Sequence, residues 1–203
     1  DAAQSLGVYK MPFGAADVIV TSTHKWLFGP HGGGITWMKH AFSEWIEALY
    51  WTGNGISLGS SSKEKLSIQG GQDFALYRAI VEALRLYNDT GKNVVYRRTV
   101  YLATWIYEQL NDIFNRFGIS HLFLNNEHSH ILCVAFTDYD PYPLYKALND
   151  RGVHFKCINR QIVSGKKYNL LRIGIPYYET MDRLQLALSE IEECIPATVP
   201  VKS

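Results

Sequence analysis

The chain has 203 residues, 47% of them apolar and 19% charged, and a formal net charge of +1. That length buries a sizeable core in one or two domains, and the near-neutral charge with no basic stripe excludes a nucleic-acid module or a protein held to an anionic membrane by charge. No apolar run reaches the roughly 20 residues of a membrane helix, and the scattered Cys133, Cys157 and Cys194 form no metal-spaced cluster and point to a reducing, cytoplasmic setting.

In chain order, Asp17 to Ser22 and Gly33 to Met38 read as strands. Their near-continuous apolar runs suit strands of a parallel sheet buried on both faces. Between them lies Thr21-Ser22-Thr23-His24-Lys25-Trp26-Leu27-Phe28-Gly29-Pro30-His31-Gly32-Gly33-Gly34, a polar, glycine-rich turn carrying one lysine. Ala41 to Tyr50 has helical spacing, and Thr52 to Ser62 is a Gly/Ser-rich loop. The turn Ser67 to Asp73 precedes a long helix whose predicted buried stripe is Phe74, Tyr77, Ile80, Val81, Leu84 and Leu86. Asn93 to Phe114 is a second long helix, its aromatics assigned to packing.

Gly118 begins a smaller domain: strand Ile131 to Phe136, helix Pro143 to Arg151 stopped by Gly152, strands Val153 to Cys157 and Leu170 to Ile175, helix Glu179 to Cys194, and a tail from Pro196. The expected fold class is α/β. Residues 1–117 form the end of a large, mostly parallel domain with long connecting helices. Residues 118–195 form a small α/β sandwich with helices on one sheet face, and 196–203 a tail.

Lys25 has two readings. It is a surface lysine on a loop, or a reactive amine able to form a Schiff base with a carbonyl compound. Asp1-Ala2-Ala3-Gln4, the strand after Asp17, Ser22-x-His24-Lys25 and Gly29-Pro30-x-Gly32 stand in that order. This set resembles the class V aminotransferase family of pyridoxal phosphate enzymes, which includes cysteine desulfurases, selenocysteine lyases and isopenicillin N epimerase-like proteins. The resemblance covers nearly the whole chain. It places Asp1 deep inside a large domain and so implies a missing N-terminal half of the same protein.

The resemblance also assigns roles. Lys25 would form the internal aldimine. Asp1 would hold the pyridinium nitrogen protonated, so that the ring acts as an electron sink. Gln4 would neighbour the ring hydroxyl, and Ser22 and His24 would donate to the phosphate. Each has a plainer reading: Asp1 a strand-end cap, Gln4 a solvated side chain, Ser22 a turn former, His24 a ring that satisfies backbone. The family's Gly-Thr-x-Asp turn, which reaches the phosphate of a neighbouring subunit, maps onto Gly70 to Asp73, with Gly71 at the Thr position. Gly71 keeps a backbone N–H for an anion but has no hydroxyl. The plainer reading there is a loop with Asp73 as N-cap.

Arg172, in Leu170-Leu171-Arg172-Ile173-Gly174-Ile175-Pro176-Tyr177-Tyr178, resembles the family arginine that binds the substrate α-carboxylate. A guanidinium on an apolar strand needs an anionic partner, and its fork suits a carboxylate. An internal salt bridge is the alternative. Gly174 and Tyr178 depart from the family's Ser and Asn, so the match is partial. Cys157 precedes the loop Ile158 to Lys167, where desulfurases carry their persulfide cysteine and where this chain has none. The implied function is a homodimeric enzyme acting on an amino acid as a β-eliminating lyase, desulfurase-like enzyme or epimerase, with an aminotransferase less favoured. The competing reading is a non-catalytic fragment or partner subunit that needs a separate N-terminal half.

Overall fold

A computed structural model of the chain describes residues 1–43, 45–46, 73–163 and 165–198. They form two compact units, residues 1–92 and 93–203.

In the first unit, β1 (Val18–Ser22) and β2 (Gly34–Met38) pair antiparallel, with Val18 opposite Met38 and Ser22 opposite Gly34. The parallel arrangement expected for these strands is therefore corrected. Residues 23–33 make a hairpin loop, whereas a parallel pair needs a crossover of about a dozen residues or more, usually a helix. Burial on both faces is corrected too: Ile19 is buried while Val20 is 44% exposed. The reason is that Ala2, Met11 and Ile19 form a small core, ringed by Leu6, Tyr9, Ala16 and Trp37, against one face of the hairpin.

Helix α1 covers His40–Ser43. The rest of the predicted 41–50 helix, apart from 45 and 46, lies outside the described residues. So do the 52–62 loop and residues 67–72 of the following turn, Gly71 included. Asp73 caps α2 (Phe74–Thr90), accepting from the N–H groups of Ala75 and Leu76 at 2.9 and 3.3 Å. The apolar stripe of α2 is less buried than its spacing predicts. Ile80 is covered, but Phe74 is 83% and Leu86 59% exposed. Helical spacing states which side a helix can bury; a covering layer has to come from elsewhere.

The second unit is a four-stranded antiparallel sheet in the order β3-β4-β6-β5, built from β3 (His121–Phe123), β4 (Ile131–Phe136), β5 (Lys156–Val163) and β6 (Lys166–Gly174). Its helices are α3 (Lys92–Arg116), α4 (Tyr142–Asp150) and α5 (Met181–Thr198). Leu132, Val134 and Phe136 of β4 and Leu171 and Ile173 of β6 point to one face. There they meet Leu102, Ile106, Leu110 and Phe114 of α3, Leu144 and Leu148 of α4, and Leu188 and Ile191 of α5. Each such side chain contributes about 1.5–3 kcal/mol by leaving water, so this layer is the main cohesive element of the unit. Alternation along the strand puts Arg172 on the opposite face from Leu171 and Ile173.

Helix α3 ends where expected. Gly118 takes φ +65°, and Ile119 N–H returns to Phe114 O at 2.9 Å. Of its aromatics, Phe114 is buried and Trp105 and Tyr107 pack on the core, but Tyr96 and Tyr101 are about half exposed, correcting the assignment of all five to packing. Three further boundaries differ from the expectation. The predicted strand at 153–157 starts only at Lys156 and runs on to Val163. It makes a hairpin with β6 across the predicted 158–167 loop, with a register shift between Ile158 and Gln161 that breaks the two-residue period. Helix α5 continues through Pro196 to Thr198 instead of ending at Cys194; the proline removes one N–H donor of the last turn, and the burial of Cys194 and Ile195 offsets that loss.

No helix among the described residues is long and apolar enough to cross a membrane.

Candidate functional site

The N-terminal turn and the β1–β2 loop are laced together. Ala2 N–H donates to Val20 O at 2.8 Å, and Thr21 Oγ1 donates to Ala2 O at 3.2 Å. Trp26 Nε1–H donates to Gln4 Oε1 at 2.8 Å. Gly7, at φ +97°, lies so close to the Trp26 carbonyl that a side-chain carbon would overlap it. Asp1, Gln4, Ser22, His24 and Lys25 are thus brought to one loop cluster of the first unit.

Thr23 holds the loop in shape. Its N–H donates to Gly33 O at 3.1 Å, and its carbonyl accepts from Gly29 N–H at 2.9 Å. Its hydroxyl, fully buried, lies 3.1 Å from Gly33 O and 3.3 Å from Pro30 O. Phe28 adopts φ +54°, an uncommon left-handed conformation for a bulky residue that tightens the turn after Lys25. The Lys25 side chain is half-buried at this turn.

Two polar atoms beside it are shielded from water and have no hydrogen-bond partner among the described residues: Ser22 Oγ and His24 Nδ1. Leaving such atoms unpaired costs about 1–3 kcal/mol each, so unpaired groups at a loop call for an explanation. A bound anion that accepted from them would supply one. The His24 ring also stacks on His31, with centroids 4.3 Å apart and planes 22° apart.

Asp1 is exposed, and one carboxylate oxygen accepts from Ala3 N–H at 2.7 Å, the capping contact of its plainer reading. The second oxygen accepts no such bond from the described residues. Gly71 lies outside the described residues. Arg172 belongs to the second unit, on β6, opposite Cys133 on β4 and Lys156 on β5. No hydrogen bond or salt bridge to its guanidinium is found among the described residues, so the internal salt-bridge alternative has no partner there. Burial pushes the Cys133 thiol up in pKa, and the Arg172 charge pulls it partly back. Burial, with the charge of Asp140 acting the same way, pushes Cys157 up.

Thr23, Trp26 and His31 shape this site and escape sequence reasoning. A buried threonine inside a polar turn looks like any turn former. The Trp26–Gln4 bond joins residues that only the hairpin brings together.

The family model described as Aminotransferase class-V matches residues 1–186. No curated protein matches the sequence. Among solved structures, a cysteine desulfurase from Thermococcus onnurineus NA1 superposes with a TM-score of 0.80 at 16% identity, over 97% of this chain and 52% of that one. The cysteine desulfurase CsdA from Escherichia coli gives 0.79 at 17% identity, over 98% and 51%. A serine palmitoyltransferase from Sphingomonas wittichii gives 0.64 at 14% identity, over 92% and 41%. These likenesses establish the fold, and the chain spans about half the length of the desulfurases it matches.

Proposed function

We propose that this chain, which belongs to the aminotransferase class-V family, forms with an N-terminal half of the same protein a pyridoxal phosphate enzyme that acts on an amino acid. The reaction is of the β-eliminating lyase, desulfurase-like or epimerase type, and the working assembly is a homodimer. The observation that carries this reading is the pair of shielded, unpartnered atoms Ser22 Oγ and His24 Nδ1 on the loop that bears Lys25.

The residues present fit the cofactor. Ser22 Oγ and His24 Nδ1 would donate to its phosphate, the tautomer of His24 being selected by the oxygen it meets. With the Gln4 side-chain oxygen engaged by Trp26, its NH₂ group would be left to donate to the ring hydroxyl. Asp1 would use its second carboxylate oxygen to hold the proton on the pyridine nitrogen. Lys25 Nζ would carry the cofactor. When bound, the cofactor supplies an electron sink for the electron pair left at the amino acid's Cα.

Lys25 then acts as general base, taking the proton from Cα of the substrate; in an elimination the Cβ–leaving-group bond breaks and the departing group takes up that proton, whereas an epimerisation needs a second acid on the opposite face of Cα. The Lys25 turn is half-buried. Arg172 would grip the α-carboxylate with two parallel N–H donors. Burial and the Asp140 charge both push the Cys157 thiol up in pKa, which works against the thiolate that a persulfide step needs and favours a reaction without one on Cys157.

A second reading has one observation behind it. Because the chain spans about half of the structures it matches, it would suit a non-catalytic partner of a separate N-terminal half. Visible absorbance and native mass decide between the two. A yellow full-length protein whose colour is lost in Lys25→Ala supports the enzyme. A colourless species of 23.1 kDa supports the partner.

A further inference from the structure

We propose that His31 is a positioning residue for the anion site beside Lys25. Its imidazole, laid against that of His24, fixes the plane of the His24 ring so that Nδ1 stays available to a phosphate group. This rests on the cofactor reading above and adds to it a residue to which that reading gives no task.

The rings lie 4.3 Å apart at 22°, close enough for stacking contact. His31 is exposed, on a turn that contains Pro30 and a left-handed Gly32 at φ +93°. A histidine on a loose turn would hold no single orientation. This turn is held, because the residues on both sides of His31 are tied to the residue just before His24. Pro30 O and Gly33 O both lie within hydrogen-bond distance of Thr23 Oγ1, at 3.3 and 3.1 Å. The Thr23 N–H makes a further bond to Gly33 O at 3.1 Å. Gly33 permits this approach, since a side-chain carbon there would press on Ile80 and come within 3.0 Å of Thr23 Oγ1. The stack is therefore a property of the loop's hydrogen bonding.

His24 needs such help for a physical reason. The torsion that turns an imidazole about its Cβ–Cγ bond is broad, without the sharp wells of an aliphatic side chain. No described group bonds Nδ1 to restrain it. The His31 face removes that freedom before the anion arrives, which lowers the ordering cost of binding. Phosphate affinity should gain, and contacts to the rest of the cofactor should not.

The test uses the full-length protein containing this chain, as parent, His31→Ala and His31→Phe. Pyridoxal phosphate and pyridoxal, which lacks the phosphate, are titrated separately by absorbance, and the ratio of their affinities is read. The parent should prefer pyridoxal phosphate strongly. His31→Ala should reduce that preference by about 2- to 12-fold, the span of an aromatic pair contact, with pyridoxal affinity unchanged. His31→Phe, which keeps a flat face, should restore most of it. An unchanged ratio in His31→Ala, equal weakening of both ligands, or no recovery in His31→Phe would overturn the positioning role while leaving the cofactor reading intact. A parent that binds both ligands alike, or neither, would overturn the cofactor reading and this inference with it.

Discussion

The indole N–H of Trp26 donates to the side-chain oxygen of Gln4 at 2.8 Å, across the whole length of β1 in sequence. This bond sets which end of the Gln4 amide faces outward, and it ties the residue after Lys25 to the N-terminal turn. Trp26→Phe and Gln4→Ala should each destabilise the first unit. A double-mutant cycle should give a coupling of about 0.5–1.5 kcal/mol, the net worth of a part-buried hydrogen bond. Denaturant midpoints of the four proteins measure it, and strict additivity would show that the bond contributes nothing.

Gly7→Ala is expected to be worse than either. The position needs φ +97°, and the added carbon would meet backbone atoms of Trp26 and Leu27, which cannot swing aside as a side-chain tip can. Strain of this kind costs about 1–3 kcal/mol before the clash is counted. The urea midpoint should fall with little change in slope. Gly14→Ala, where nothing lies within 4 Å, is the matched control.

Much of the second unit was legible in the sequence because its signals are local. Gly118 and Gly152 mark helix ends with positive φ, and the alternation of Leu132, Val134 and Phe136 marks a core-facing strand. Strand β3 was not legible, since three residues carry no period. In the first unit the apolar runs of β1 and β2 were readable, but strand direction is set by the path of the loop, which composition does not encode. The site divides in the same way. Ser22, His24 and Lys25 stand together in sequence and in space. Thr23, Trp26 and His31 become meaningful only once Gly33, Gln4 and His24 are folded against them.

Stability should fall at alkaline pH, in part through Tyr139. Burial, with the charge of Asp140 adding to it, pushes this phenol from 10.0 up to about 12. The unfolded chain therefore releases the proton first. Tyr139 contributes stability that is fully present below pH 10.0 and is lost as the pH rises to about 12. Tyr139→Phe has no proton to lose, so its urea midpoint should drop less than that of the parent across this window. Equal drops would mean that the buried phenol is not responsible.

Arg172→Ala in the full-length protein should bind pyridoxal phosphate like the parent yet lose about 2–5 kcal/mol in kcat/KM for amino acids, the usual cost of breaking a sheltered charged pair. Arg172→Lys should recover only part, because an ammonium cannot make two parallel bonds to one carboxylate. Substrate titration of both variants checks this. Undiminished amino-acid binding by Arg172→Ala would assign the carboxylate to another residue.

Borohydride reduction shows whether Lys25 carries the cofactor. The full-length protein is incubated with pyridoxal phosphate, reduced, digested and mapped by mass spectrometry. A phosphopyridoxyl group is expected on the peptide containing Lys25, and none there when Lys25 is replaced by alanine. A label on Lys39, or no label in a protein that holds its complete chain, would contradict that assignment.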